Sequence, residues 1–318
     1  MKRLTAVVIG ALALAAAPQD GKRELRYAFT KGDTFPYALK YAMGVRVDKV
    51  PEIFQGVLPE DLLDLKMEGL LDVKVTEVAA DGSATLEGTW KKLTAKGHML
   101  VNDIDFKFDA DKKEEKAAKK EPAAPADPAL DGVLNLEDQL ARAVATSLVL
   151  TADALGRLKV KESGAKSQEI EGIFRSLNGM MGALPQEKIG KGDGWKDTTK
   201  VTIPAAAGSS VDVPIATENL YAADEDVKGG SCAVLTSKFK VGQVEKKKND
   251  ENNVFNAQFK TAGEGEGKTW FNVKQGRATR TQSLLKVRVN AVFPNPGGGD
   301  DIELNATVKM EQNGEIGK

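Results

Sequence analysis

Apolar and polar residues alternate with a period of two along much of this chain. Phe35, Tyr37, Leu39, Tyr41, Met43, Val45 and Val47 all fall on odd positions, with Pro36, Lys40, Arg46 and Asp48 on the opposite parity. Leu285, Val287, Val289, Ala291 and Phe293 stand against Arg280, Lys286, Arg288 and Asn290 in the same way. Ile302, Leu304, Ala306, Val308 and Met310 alternate with Glu303, Asn305 and Lys309. Such alternation marks antiparallel strands with one buried and one wet face. The run from Phe35 to Val47 would extend about 43 Å, over twice a typical strand, and sheets of such strands twist and curl. The pattern predicts a mainly β (α+β) fold, a long, strongly curved antiparallel sheet or half-barrel. Asp81-Gly82 and Gln275-Gly276 supply hairpin turns, the first joining Leu71–Val78 to Ala84–Trp90 and the second Thr269–Val273 to Ala278–Phe293.

Two stretches follow a helical period instead. Leu136, Leu140, Val144 and Leu148 recur at i, i+4 after Asn135, with Asp138 in the first turn. Ile170, Ile173, Phe174, Leu177, Met181 and Leu184 share a second helical face, weakened by Asn178-Gly179 and Gly182. Both helices are too short to stand alone, so about two amphipathic helices are expected to pack on the sheet. Residues 112–131 read KKEEKAAKKEPAAPADPALD, with one large aliphatic side chain, Leu130, and three prolines. That composition cannot offset the entropy of ordering and predicts a disordered linker. Neither half reads as a complete repeat of the other, so residues 18–318 are taken as a single β-rich domain interrupted by that linker.

The first 17 residues add an address. Lys2 and Arg3 precede an apolar stretch of about 14 residues, short of the ~20 that span a bilayer, and Ala15, Ala16 and Ala17 offer A-x-A-type cleavage sites. Cutting after Ala15 or Ala16 is favoured over Ala17 because Pro18 follows. Residues 1–17 are therefore read as a signal peptide, with the mature chain periplasmic or extracellular. The single cysteine, Cys232, leaves no intrachain disulfide and lies far from the leader, so no lipid anchor is expected. Export without disulfides suits a bacterial envelope. Lys and Arg number 45 against 46 Asp and Glu, with no sustained basic stripe, which argues against nucleic acid as a partner.

Two fragments carry a resemblance. Leu25-Arg26-Tyr27 runs through Phe29-Thr30-Lys31-Gly32-Asp33 to Tyr37, and Leu184-Pro185 precedes Ile189-Gly190-Lys191-Gly192-Asp193-Gly194-Trp195. With the glycine-led aromatic strand, Gln-Gly turn and return strand from Gly267 to Arg280, this order resembles a family of exported, β-rich bacterial proteins of unknown function. The resemblance implies export and β architecture and brings no catalytic residue. Physically, Gly32 and Gly192 supply positive-φ turn positions, Asp33 and Asp193 bond the backbone, and Trp195 drops an indole into the core.

Candidate chemistry is sparse. Ala262-Gly263-Glu264-Gly265-Glu266-Gly267-Lys268-Thr269 satisfies a relaxed phosphate-binding-loop pattern ending in Gly-Lys-Thr. Its two glutamates would oppose the phosphates, and Trp270, Phe271 and Val273 continue as a strand where a helix is needed. A hairpin loop between Val254–Phe259 and Trp270–Val273 is expected there. His98 is the only histidine, which excludes multi-histidine metal sites, and Gly97-His98 is read as a surface turn. Cys232 is read as a buried, inert thiol at a strand start, and Asp224-Glu225-Asp226 as a solvated turn without calcium-loop spacing. No catalytic, cofactor-binding or metal-ligating residue is assigned. The expected role is a non-catalytic envelope protein whose sheet binds a lipid or other apolar molecule, or an envelope protein. The alternatives are a carboxylate-based hydrolase and a purely structural envelope protein. An outer-membrane barrel is disfavoured by the two helices and an aromatic content of 6%.

Overall fold

A computed structural model describes residues 21–50, 52, 55–56, 58–100, 102–112, 136–160, 181–204, 210–227, 230–242, 258–295 and 298–316. The predicted leader, and the predicted linker beyond Lys112, lie outside these residues. The strands are β1 (Thr34–Lys49), β2 (Asp61–Val78), β3 (Ala84–Met99), β4 (Asn102–Asp109), β5 (Leu148–Ala152) and β6 (Leu158–Val160) in the first half. In the second they are β7 (Gly194–Pro204), β8 (Ser210–Val227), β9 (Gly230–Val241), β10 (Gln258–Asn272), β11 (Arg277–Phe293) and β12 (Ile302–Ile316). All 12 strands join one antiparallel sheet in the order β6-β5-β3-β2-β1-β12-β11-β10-β9-β8-β7, with β4 paired to β3. Among the described residues β6 and β7 each have a single neighbour, so the sheet is open and not a closed barrel.

The three alternating runs become β1, β11 and β12, which lie side by side with β12 in the middle. Their apolar residues share one face: Val45 pairs with Val308 and Val308 with Val287. On the opposite face Glu266 pairs with Lys238, Lys238 with Glu218 and Glu218 with Lys196, a band of alternating charge on the outer surface. Asp81-Gly82 turns β2 into β3, with Gly82 at φ +81°, and Gln275-Gly276 turns β10 into β11, with Gly276 at φ +61°.

Among the described residues one helix is present, α1 (Leu136–Ala145), where two were expected. Its Glu137 and Asp138 favour the N-terminal end of the helix dipole, and Leu140 and Ala143 are buried towards β3 and β4. Leu148, assigned by spacing to the same helix, instead begins β5, which lies between β3 and β6 and alternates in burial over Leu148-Val149-Leu150. Of the second predicted helix, residues 170–180 lie outside the described residues. Its last residues are not helical: Met181 and Leu184 are buried in an extended segment, with the Leu184 N–H donating to Leu155 O at 2.9 Å.

The two halves of the sheet share a strand order, although β4 and α1 belong to the first half alone among the described residues. Gly32 and Gly192 both sit at φ +93°. The Gly32 N–H donates to Val75 O and the Val75 N–H to Asp33 O, both at 2.8 Å; Gly192 and Asp193 make the same pair of bonds with Tyr221 at 2.8 and 3.0 Å. One residue beyond that contact each partner strand carries a bulge, between Val75 and Glu77 and between Tyr221 and Ala223. The order β6-β5-β3-β2-β1 is then repeated as β11-β10-β9-β8-β7, with β12 joining the halves. The two Lys-Gly-Asp turns are therefore equivalent parts. Because a Cβ at Gly32 or Gly192 would meet no atom within 4 Å, alanine there pays only for the backbone conformation. Gly32→Ala and Gly192→Ala are each expected to cost about 1–2 kcal/mol in urea unfolding, and a cost at one turn alone would break the equivalence.

The main core draws on the inner face of both halves, from Leu71 and Val75 of β2 to Tyr221 of β8 and Phe271 of β10, and is closed by the N-terminal segment, where Leu25 and Tyr27 are buried. The Tyr27 N–H donates to Ala154 O in the β5–β6 turn, and the next amide, Ala28, to Gly276 O in the β10–β11 turn. Five strand steps, about 24 Å across a flat sheet, separate β5 from β11. Adjacent residues can bond both turns only because the sheet bends round this segment. A second cluster, Val213, Val241 and Val287, lies on the inner face of the second half.

Candidate functional site

Cross-strand partners on the inner face stack into rows that run across the sheet. One row passes from Val45 through Val308, Val287, Gly263 and Val241 to Ile215. The next passes from Met43 through Met310, Leu285, Gly265 and Phe239 to Thr217. Each spans six strands, about 24 Å, and Met43, Val45, Met310, Val308 and Leu285 are only half-buried. Unbranched, polarizable methionines at the β1–β12 end of these rows let the surface adapt to different shapes.

The glycines of these rows correct the expected hairpin loop at 262–269. That segment lies inside β10, paired on both sides, with Glu264 and Glu266 exposed on the outer face. A Cβ on Gly263 would stand 2.5 Å from Lys286 O, and one on Gly265 would overlap Leu284 O. Glycine here permits a close approach of β11 to β10, and no phosphate-binding loop exists.

At the end closed by the N-terminal segment, the inner face forms an apolar cleft. Tyr27, Phe35, Tyr37, Leu71, Met181 and Arg277 are among its walls. Its free volume is about 40 Å³, room for roughly three waters and far below the ~300 Å³ of an ordinary ligand pocket. The Tyr27 ring meets Phe271 edge to face, with centroids 5.2 Å apart, and its hydroxyl donates to Gly182 O at 3.3 Å. Burial pushes the Tyr37 and Tyr41 phenols up to about 12, and burial and then the neighbouring Tyr37 raise Tyr27 well above its ordinary value. An absorbance titration should therefore find no more than one of the four tyrosines ionised at about pH 11. The unfolded chain releases these protons near pH 10 while the folded chain keeps them. The stabilisation is thus complete below pH 10 and lost as pH rises through about 12. Three phenolates with midpoints near 10 in folded protein would contradict this packing.

Arg277 is the cation of the cleft. Its guanidinium carbon lies 4.6 Å from the Phe35 ring centroid, and its Nε is shielded from solvent without a hydrogen-bond partner. Among the described residues no carboxylate pairs with it. Its counterpart in the first half, Arg157, follows the equivalent glycine, Gly156 at φ +81°, and lies 4.0 Å from Asp153. Where Asp153 faces Arg157 in the first half, Asn272 pairs across the hairpin with Arg277 in the second. Each side chain accepts a turn N–H, Leu155 and Arg157 for Asp153 and Gln275 for Asn272. Sequence reasoning missed Arg277, because only the repeat shows that its acid has become an amide.

The residues singled out from sequence are dispersed. Gly32, Asp33, Gly192 and Asp193 build the two turns; the Gly190 N–H and then Lys22 hold the Asp193 carboxyl below its usual range. Trp195 lies on β7 against the main core, and its Nε1 and the Nδ2 of its cross-strand partner Asn219 are buried without partners. Asn219 Oδ1 accepts the Ser237 hydroxyl at 2.6 Å. His98 is on β3 between Asp64 and Asp103, not in a turn. Cys232 is buried on β9, and burial raises its thiol pKa. Asp224, Glu225 and Asp226 lie within β8, which corrects the solvated turn: Asp224 accepts the Tyr221 hydroxyl at 2.7 Å and pairs with Arg23. Glu225 accepts the Trp270 Nε1–H at 2.7 Å and Lys268 at 3.1 Å, which lower its pKa.

Among the described residues no three His, Cys, Asp or Glu side chains gather as a metal site, and no helix is long and apolar enough to cross a membrane. No protein-family model matches the chain, and no curated protein matches it.

Proposed function

We propose that this is an exported, non-catalytic cell-envelope protein, without a lipid anchor, that holds an apolar molecule against the inner face of its curled sheet. The observation that carries the reading is the pair of inner-face rows, half-buried where β1, β12 and β11 supply Met43, Val45, Met310, Val308 and Leu285, with a charged band on the other face. The apolar area that Met43, Val45, Leu285, Val308 and Met310 still present to water is area that a bound apolar molecule would cover. The carboxylates with altered pKa, Asp81, Asp193, Glu218 and Glu225, are all made more acidic, the reverse of what a hydrolase's general acid needs. Titrating the mature protein with N-phenyl-1-naphthylamine should raise and blue-shift the probe's emission in a saturable way. A folded protein that leaves the emission unchanged would remove the reading.

A structural envelope role is the second reading, and the 40 Å³ cleft is the observation that favours it. In that case the inner face serves only as core. Probe binding separates the two.

A further inference from the structure

We infer that the ligand is a single-chain amphiphile with an anionic head, a fatty-acid carboxylate, and that Arg277 receives that head. The inference rests on the apolar-binding reading and adds the head-group chemistry to it. Three observations converge. The cleft is lined by aromatic and aliphatic side chains and contains one cation. That cation is stacked on Phe35, half-buried, with its Nε hidden from water and unbonded. An unneutralised guanidinium in apolar surroundings is costly, and a carboxylate presented to its fork supplies both the charge and the missing acceptors. Finally, the repeat shows what neutralises the equivalent position: Arg157 has Asp153, whereas Arg277 faces Asn272. The acid is missing only in the copy whose arginine lines the cleft.

A neutral polar head would leave the guanidinium's charge uncompensated, and with 40 Å³ of free volume side chains must move for any chain to enter. A single chain enters by displacing flexible side chains, of which Met181 is the unbranched one in the wall. The tyrosines beside Arg277 stay protonated at neutral pH and add no competing negative charge.

The test measures displacement of N-phenyl-1-naphthylamine by laurate and by 1-dodecanol, ligands that share a chain and differ in the head. The wild-type protein should bind laurate about 10-fold or more tightly than dodecanol, the size of a charge-assisted hydrogen bond. Arg277→Gln should abolish that preference, while Arg157→Gln, outside the cleft, should leave the preference and dodecanol binding unchanged. Asn272→Asp, which restores the acid found in the other half, should also abolish the preference with Arg277 still in place. It guards against a loss caused by misfolding of the Arg277 variant. Equal affinity of the wild type for the two ligands, or a preference that survives Arg277→Gln, overturns the assignment but leaves apolar binding standing. Failure of dodecanol itself to bind removes the underlying reading, and the assignment with it.

Discussion

Gly97→Ala is expected to cost about 3–5 kcal/mol, enough to unfold a marginal domain. Gly97 sits at φ +147° inside β3, a conformation that L residues rarely adopt, and pairs with Leu65 of β2 on one side and Ile104 of β4 on the other. A Cβ at this position would overlap the Asp64 carbonyl oxygen and crowd the Leu65 Cα. Both obstacles are backbone, so no rotamer change relieves them. The β2–β3 ladder must open around Leu65, a buried core residue. Urea unfolding monitored by tryptophan fluorescence measures the loss. A shift below about 1 kcal/mol would mean that β2 and β3 pair in a different register, one that does not set Gly97 against Leu65.

Phe271→Ala carries the second large effect, about 3–5 kcal/mol from the lost ring and the cavity it leaves. Phe271 is fully buried and lies between Ala233 and Ala278 on its neighbouring strands, so its ring fills the space those alanines leave. It also meets Tyr27 edge to face, an arrangement worth roughly a further 0.5–1.5 kcal/mol. Tyr27 and Ala28 hold the β5–β6 and β10–β11 turns together through their amides. Phe271→Ala should therefore speed hydrogen exchange at those two amides more than at the equivalent depth of β12, whereas Phe271→Leu should recover most of the protection. Uniform loss across the sheet would show that Phe271 does not anchor the N-terminal segment.

Alternating stretches were legible because one face of the sheet is apolar and the other charged. β1, β11 and β12 are read directly, and the Asp-Gly and Gln-Gly turns mark the β2–β3 and β10–β11 hairpins. The middle of β10 was hidden because from Gly263 to Gly267 its period of two is written in glycine and glutamate, so no apolar side chain marks the inner face there. Asp224-Glu225-Asp226 and Gly97-His98 looked like turns for a related reason: polar residues near strand ends keep pairing through the backbone, which side-chain character does not report. The repeat was concealed by divergence. Its halves share the Lys-Gly-Asp turns and the glycine-arginine turns, but the first half carries β4 and α1 between β3 and β5, and β9 runs to β10 without a counterpart among the described residues. The candidate site depends on that repeat, since Arg277 is unusual only beside Arg157.

Native mass spectrometry of the protein, recovered without detergent, tests the central claim most directly. A protein that uses its inner face to hold an amphiphile should fly with a non-covalent adduct of a few hundred daltons, released in organic solvent and identified as a fatty acid. A spectrum of the bare chain alone, from protein that also fails to take up added laurate, would contradict the account and leave the inner face as a packed core.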